Sequence, residues 1–500
     1  MIRPLATVSA GTLGSRLSGF LRDALIAALF GAGFVADAFL FAFQFVNVAR
    51  RLLSEGALNA MLVPAYARIR SDAGETAAAA FAGRALGTIG LAVLVAALLL
   101  GFVAPYVIAP LAPAFAGQPA FQLAVDALRL MLPYLAFAGP VAVMAAVLNA
   151  NGRVGLTAFS PILFNAVMIS AVAVLLFTSL PAVEAALALA AIVGAAGCCQ
   201  LIFLGISGTR HAKPVRLSRD EEIQKLFRRA VPGMVAQSGS QLFLVAGAII
   251  ASGSPSAVSF LYFASRLVDL PLGLVGTATG AVLIPRLSGA EAGNASSSAL
   301  QLTLGLALPA SVGLALLATP IVALLFEHGA FTAADTQPTA RALTILAFAL
   351  PAFALARPMG AVFFAREQMT QPLIATLAGL AVTVLVALLL QPGHGYAGVA
   401  AAISLGAWVT AIYLGATLTA RSELAMDATG WRNAAFIVVA SAVMGAAIRA
   451  ALTVIPAAAD GDVLTRAITV GTLIALGMLV YAVCLRLFGV VNFRVIRRAF

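Results

Sequence analysis

Charged side chains are scarce in this sequence. They make up 10% of its 500 residues, and hydrophobic residues make up 62%, against about 25% and about 45–50% in typical soluble domains. That balance excludes a soluble globular chain. Cysteine is nearly absent. Cys198, Cys199 and Cys484 each sit in an apolar run, which excludes a disulfide scaffold, and the adjacent pair reads as packing or lipid-depth residues. The three histidines, His211, His328 and His394, fall in expected loops and make no metal cluster. P-loop, HExxH and CxxC motifs are all missing, and no connection is long enough to hold a catalytic domain, so neither an enzyme nor a cofactor is expected. A signal peptide is not expected either. The first apolar stretch is interrupted by Arg16, Arg22 and Asp23 and has no small-residue cleavage site.

What fills the chain is apolar runs. They fall at roughly 5–28, 34–50, 85–112, 122–148, 155–179, 183–207, 230–252, 256–284, 298–326, 338–364, 371–391, 395–420, 432–456 and 463–488. A bilayer core of about 30 Å takes about 20 residues of helix, and backbone polar groups in lipid must be satisfied within the segment. The expectation is an all-α polytopic membrane protein of about 14 transmembrane helices. Segment two is followed by a further apolar stretch, Ala57–Ala67, which extends it as one long or bent helix. Basic residues outnumber acidic ones by 30 to 19, and the excess has a place. With a cytoplasmic N-terminus, the inner connections hold Arg68, Arg70, Arg84, Arg153, Arg286, Arg366, Arg421 and Arg432, the loop TRHAKPVRLSRDEEIQKLFRR and the tail NFRVIRRAF. Arg449 and Arg466 are the outer exceptions. Basic residues favour the cytoplasmic side, so both termini are expected on the cytoplasmic side of the membrane, and a nucleic-acid partner is not needed to explain the charge.

The basic loop also divides the chain, and its KLFRRAVPGM end reads as an amphipathic stretch at the anionic inner surface. LPYLAFAGP (Leu132–Pro140) and LPAFALARP (Leu350–Pro358) share their proline spacing, and AMLVPA (Ala60–Ala65) matches AVLIPR (Ala281–Arg286) at nearly the same offset. Both pairs link segments six apart, as parallel repeats about an axis along the membrane normal would. The expected organisation is an N-lobe over 1–208, a basic linker over 209–229, a C-lobe over 230–422, and two further helices with a basic tail over 423–500. The lobes are six helices each, related by pseudo-two-fold symmetry.

Ionisable residues inside these spans carry the functional signal. An arginine at a helix centre costs about 2.5–3.5 kcal/mol on insertion scales, and such residues generally line a pathway. Segment one holds Arg16, Arg22 and Asp23. Segment two holds Asp37, Asn47, Arg50, Arg51 and Glu55, segment eight Arg266 and Asp269, and segment ten Arg357. Arg51 with Glu55 and Arg266 with Asp269 have same-face spacing, and Arg16 shares a face with Asp23. Arg22 and Arg50 have no equally obvious local acid. Arg16 and Arg22 lie about 120° apart on a regular helix, and Gly19 between them permits a bend that aims both inward. Guanidinium groups grip phosphate in a fork and stay charged, so the excess points to a phosphate or pyrophosphate ligand.

The stretch GSRLSGFLRDALIAALFGAGFVADAFLFAFQFVNVARRLLSEGALNAMLVPAY resembles the lipid II flippases of peptidoglycan synthesis, the MurJ (MviN) family of the multidrug, oligosaccharidyl-lipid and polysaccharide exporter superfamily. FASRLVDLPLGLVGTATGAVLIPRLS, FEHGAFTAADT and FFAREQMTQP extend the resemblance, which fades after about residue 425. It implies fourteen helices, two lobes, a central cationic cavity, and a tail groove made by the last two helices. It implies that Arg16, Arg22, Arg50 and Arg266 bind the pyrophosphate, and that Asp23, Asp37, Asn47, Glu55 and Asp269 serve gating or coupling. Gln44 and Val46 stand where the family often has Lys and Pro, and Ser265 where an acid often precedes the arginine of segment eight. Segment eleven has no acid, so no sodium site is carried over.

The implied activity is flipping of undecaprenyl-pyrophosphate-linked peptidoglycan precursor by alternating access, without ATP. It would be driven by the membrane potential or by an ion, chloride or proton. Lipid II and membrane lipids are the expected partners of a monomeric chain, with contacts to cell-wall synthesis machinery. A flippase for another polyprenyl-linked glycan and a drug efflux antiporter are the alternatives. The antiporter predicts acids dominating the cavity, against the arginine excess seen here.

Overall fold

The computed structural model describes residues 2–54, 57–218, 220–224, 239–283, 292–366, 368–421, 428–454 and 462–490. Every regular element among them is helical. In chain order these are α1 (Ile2–Phe30), α2 (Phe34–Ser54), α3 (Ala57–Leu111), α4 (Pro119–Ala150), α5 (Val154–Leu176), α6 (Ala182–Gly208), α7 (Gly239–Ala251) and α8 (Ala257–Leu283). They continue as α9 (Ala292–Leu316), α10 (Ala318–Phe326), α11 (Ala333–Ala347), α12 (Ala349–Ala365), α13 (Thr370–Ala420), α14 (Ala428–Val454) and α15 (Val463–Leu487). Nine of the described helices are long and apolar enough to cross a membrane, or up to ten if the bent pair Ala333–Ala347 and Ala349–Phe364 is one span. Phe102, Tyr106, Leu98, Leu389 and Leu487 stand more than 60% exposed, an apolar surface that lipid covers and water would not tolerate.

Most of the apolar runs coincide with described helices, runs nine and ten each divide into two, at Leu317 and Phe348, and two further boundaries fall at glycines. Ala57–Ala67 belongs to α3 rather than α2. That helix continues through Arg68 and Arg70 until Gly74, whose φ of 84° breaks it before the span proper. Segments eleven and twelve form one long element, α13, interrupted only at Gly395, φ 55° and ψ −135°, beside His394. Only glycine adopts these torsions without steric cost, so each glycine converts one overlong helix into two arms.

The chain divides into two compact units. Unit 1 comprises Met1–Ser259 with Gly329–Phe331, and unit 2 comprises Phe260–His328 with Thr332–Phe500. In unit 1, α4 packs against α2, α3 and α6, and α1 lies along α5. Pro133 and Pro140 are accommodated within α4, as neighbouring helices in a membrane bundle allow. Leu62, Tyr66, Phe81, Ile89, Val147 and Leu204 share one buried cluster. In unit 2, α12 packs on α13 and α9, and α9 and α15 both pack on α14. Leu300, Leu355, Phe363 and Leu418 form a core there. The exposed N-cap Asp462 is hydrogen-bonded by the hydroxyl and then the backbone N–H of Thr465 at the start of α15, which together hold its carboxyl below the usual aspartate range.

The described part of the basic linker is strapped to α3. Arg216 donates its backbone N–H to Gly83 O at 3.4 Å. Thr88 Oγ donates to Ser218 O at 3.1 Å and accepts from Ser218 N at 3.0 Å. Arg84 pairs with Asp220 and Arg68 with Glu222 at 2.8 and 2.7 Å. A Cβ on Gly87 would lie 2.5 Å from Arg216 O, too close for any side chain. Gly87→Leu is therefore expected to lift the strap at an overpacking cost of roughly 1–3 kcal/mol. Trypsin should then cut the purified protein faster after Arg216, which is exposed. An unchanged cleavage rate would mean the strap is not held by this contact.

Candidate functional site

The polar face of α1 is built for α5. Ser15, Ser18, Gly19 and Arg22 follow the i, i+3, i+4, i+7 spacing of one helix face, and α5 answers with a single amide, Asn165. Its Oδ1 accepts from Arg22 Nη1 at 3.0 Å, and its Nδ2 donates to Ser15 O and Ser18 Oγ, both at 3.0 Å. Helix α1 runs from Ile2 to Phe30 through Gly19. That glycine makes room for this amide, since a Cβ there would lie 3.3 Å from Asn165 Nδ2. Asn165 is absent from the sequence-based site. One amide in the apolar run of α5 was its only signal, because interhelical amides are common packing elements in membranes.

Arg22 does have a local acid, its immediate neighbour. Nε and Nη2 both donate to Asp23 Oδ1, at 2.9 and 2.7 Å, and the two side chains are 7% and 2% exposed. Residues adjacent in a helix do not usually face each other, so the spacing hides the pair. The guanidinium carbon also lies 5.1 Å from the Phe43 ring centroid and 5.8 Å from that of Phe164, within cation–π range. These hydrogen bonds use three of the five N–H donors of an arginine.

Four of the other predicted residues sit on α1 and α2. Arg16 is half-buried on α1. Arg50 donates from Nε and Nη2 to Asn47 Oδ1 at 3.2 and 3.0 Å, so two of the candidates are joined in one fork. Asp37, near the start of α2 and almost fully buried, caps a different helix. Its Oδ1 accepts the backbone N–H of Ser259 at 2.8 Å and its hydroxyl at 2.5 Å. Ser259 is the third residue of α8, where first-turn N–H groups have no partner within the helix. Ser256, at φ 58°, leads into that turn and donates its hydroxyl to Ala32 O. Glu55, the Arg51–Glu55 spacing, the KLFRRAVPGM stretch, Arg286 and the C-terminal tail lie outside the described residues.

In unit 2, Arg266 is buried, donates to Asp269 Oδ2 at 3.4 Å, and lies 4.6 Å from the Tyr262 centroid one turn earlier. The expected Arg266–Asp269 pair is thus present but long. Ser265 turns its hydroxyl back onto Tyr262 O. Arg357 of α12 reaches Leu272 O on α8 at 3.4 Å. Arg466, unexplained by orientation, pairs with Glu327 at 3.1 Å, and Glu327 also accepts from Thr336 at 2.7 Å. The FEHGAFTAADT stretch is thereby tied to α15. No group of three potential metal ligands occurs among the described residues.

Solved structures first define the class. A multidrug resistance MATE family transporter of the MOP superfamily, in an inward-facing conformation, covers 82% of this chain and 95% of its own at TM-score 0.59 and 16% identity. A lipid II flippase MurJ in an inward closed conformation covers 96% and 98% at TM-score 0.79 and 23% identity. The chain shares the multi-pass helical fold of these structures. The family model described as Lipid II flippase MurJ matches residues 26–465, so the chain belongs to the lipid II flippase MurJ family. A probable lipid II flippase MurJ of Rhizobium meliloti is 34% identical over 100% of this chain and 96% of its own length. The lipid II flippase MurJ of Burkholderia cenocepacia is 34% identical over 86% of each. The family match begins after Arg16 and Arg22, whereas the Rhizobium alignment spans them.

Proposed function

We propose that this protein moves lipid II, an undecaprenyl-pyrophosphate-linked precursor, from the inner to the outer leaflet of the bacterial cytoplasmic membrane by alternating access. Arg16, Arg22 and Arg50 of unit 1 and Arg266 of unit 2 are the proposed pyrophosphate ligands. The observation that carries this reading is the buried Arg22 guanidinium, held by Asp23 and Asn165, with the Arg50–Asn47 fork on α2. Membrane-depth guanidiniums are held in shape by short polar partners, one of them neutral, which suits exchange onto an incoming diphosphate. Asp23, Asp37, Asn47, Glu55 and Asp269 are assigned to gating or coupling. With both termini inside, a potential negative on the cytoplasmic face favours outward movement of an anion by about 2.3 kcal/mol per charge per 100 mV. That supplies a drive without nucleotide, with chloride or a proton as the counter-ion.

The test is depletion of this protein in its host, followed by toxin probing of lipid II exposed on the outer leaflet. Accumulation inside with loss from the outer leaflet is expected. Unchanged exposure in a host with no second flippase would move another polyprenyl-linked glycan ahead as the substrate.

A further inference from the structure

Asn165 ties the buried guanidinium of Arg22 to a second helix by a hydrogen bond, and its contacts fix its orientation. An arginine only donates and a backbone carbonyl only accepts. With Arg22 Nη1 on one side and Ser15 O on the other, the amide has one satisfying orientation, Oδ1 toward the arginine. Ser18 Oγ reinforces it from the Nδ2 side. Asn165 is itself 5% exposed, so no solvent competes for these bonds. Asp23 holds the Nε–Nη2 edge of the guanidinium and Asn165 the Nη1 end. Phe43 and Phe164 lie alongside it.

These roles differ in one respect. Asp23 carries charge, so a diphosphate arriving at Arg22 competes with it directly. Asn165 carries none, and can keep its bond to Nη1 while the Nε–Nη2 edge changes partner. We infer that Asn165 is the positioning residue that holds the Arg22 guanidinium in place on α5 while its charged edge passes from Asp23 to the pyrophosphate of the substrate. The inference rests on the proposed role of Arg22 as a pyrophosphate ligand and extends it to a residue outside the charged set. Asn165 acts through Arg22 and is not itself a ligand.

The experiment is a double-mutant cycle on the full chain in nanodiscs, with undecaprenyl pyrophosphate as the probe and thermal unfolding followed in parallel. Asn165→Ala is expected to weaken binding roughly tenfold, the scale of one hydrogen bond to a charged group. In an Arg22→Ala background the same change should have no further effect, since coupled residues are non-additive. Ser18→Ala removes only one support of the amide. It is expected to weaken binding about twofold to threefold with Arg22 present and not at all without it, and it guards against misfolding of the asparagine variant. If Arg22→Ala weakens binding but Asn165→Ala and Ser18→Ala do not, or if their effects multiply with that of Arg22→Ala, the positioning role is wrong. If Arg22→Ala itself leaves affinity unchanged, the ligand role of Arg22 falls and the inference falls with it.

Discussion

Arg22→Ala is expected to abolish outward exposure of lipid II and to destabilise the protein by about 3–5 kcal/mol, the usual cost of removing one member of a buried ion pair. The second effect complicates the first. Asp23, 2% exposed in its side chain, loses the guanidinium that donates to it twice, so a simple loss of activity would not separate ligand from scaffold. Arg22→Ala with Asp23→Asn removes the charge of that carboxylate as well. That double variant should recover most of the stability, read as thermal unfolding in detergent, while exposure stays at background. Arg22→Lys keeps the charge but not the planar fork. It should fold poorly as a partner for Asp23 and Asn165 and retain little transport. Full transport by the double variant would remove Arg22 from the substrate site.

The second large effect belongs to Asp37. Asp37→Ala deletes an interhelical cap, leaving the N–H and hydroxyl of Ser259 without the oxygen that accepts both. Stranded buried donors cost about 1–3 kcal/mol each, and helix caps about 0.5–2 kcal/mol, so a total loss of roughly 2–4 kcal/mol is expected. Ser259→Ala should cost about half as much, since only the hydroxyl bond goes. Asp37→Asn keeps an acceptor oxygen and should stay within about 1 kcal/mol of the parent. Its transport then reports the charge alone. A stable, inactive Asp37→Asn protein assigns the carboxylate to coupling, and a stable, active one assigns it to holding the start of α8.

Hydropathy made the helices legible because the bilayer imposes one length and one composition on each span. It also made the ionisable positions conspicuous, since an arginine among leucines needs a reason. The partners were a different matter. Arg22 meets Asn165 across 143 residues and Asp37 meets Ser259 across 222, and no periodicity within one helix registers a bond to another. Gly19 shows the limit most plainly. A glycine in a helix suggests a bend, but the same missing Cβ also admits a neighbour's side chain, a use that only the position of α5 reveals. Ala57–Ala67 opens α3, and composition alone does not show that this helix continues to Gly74.

The sequence distance between α1 and α5 also matters while the chain is being made. At about 5–20 residues per second, Asn165 emerges roughly 7–30 s after Arg22. During that interval α1 must lodge in the bilayer with its arginines and without the amide that later receives one of them. The neighbouring Asp23 needs no such wait, because it leaves the ribosome with Arg22 and can neutralise it at once. The adjacent pair thus acts as a travelling counter-ion that lets a cationic helix insert before its docking helix exists. A variant lacking Asp23 would show its defect first as α1 failing to integrate, visible in a glycosylation-mapping or protease-protection assay on truncated chains ending before α5.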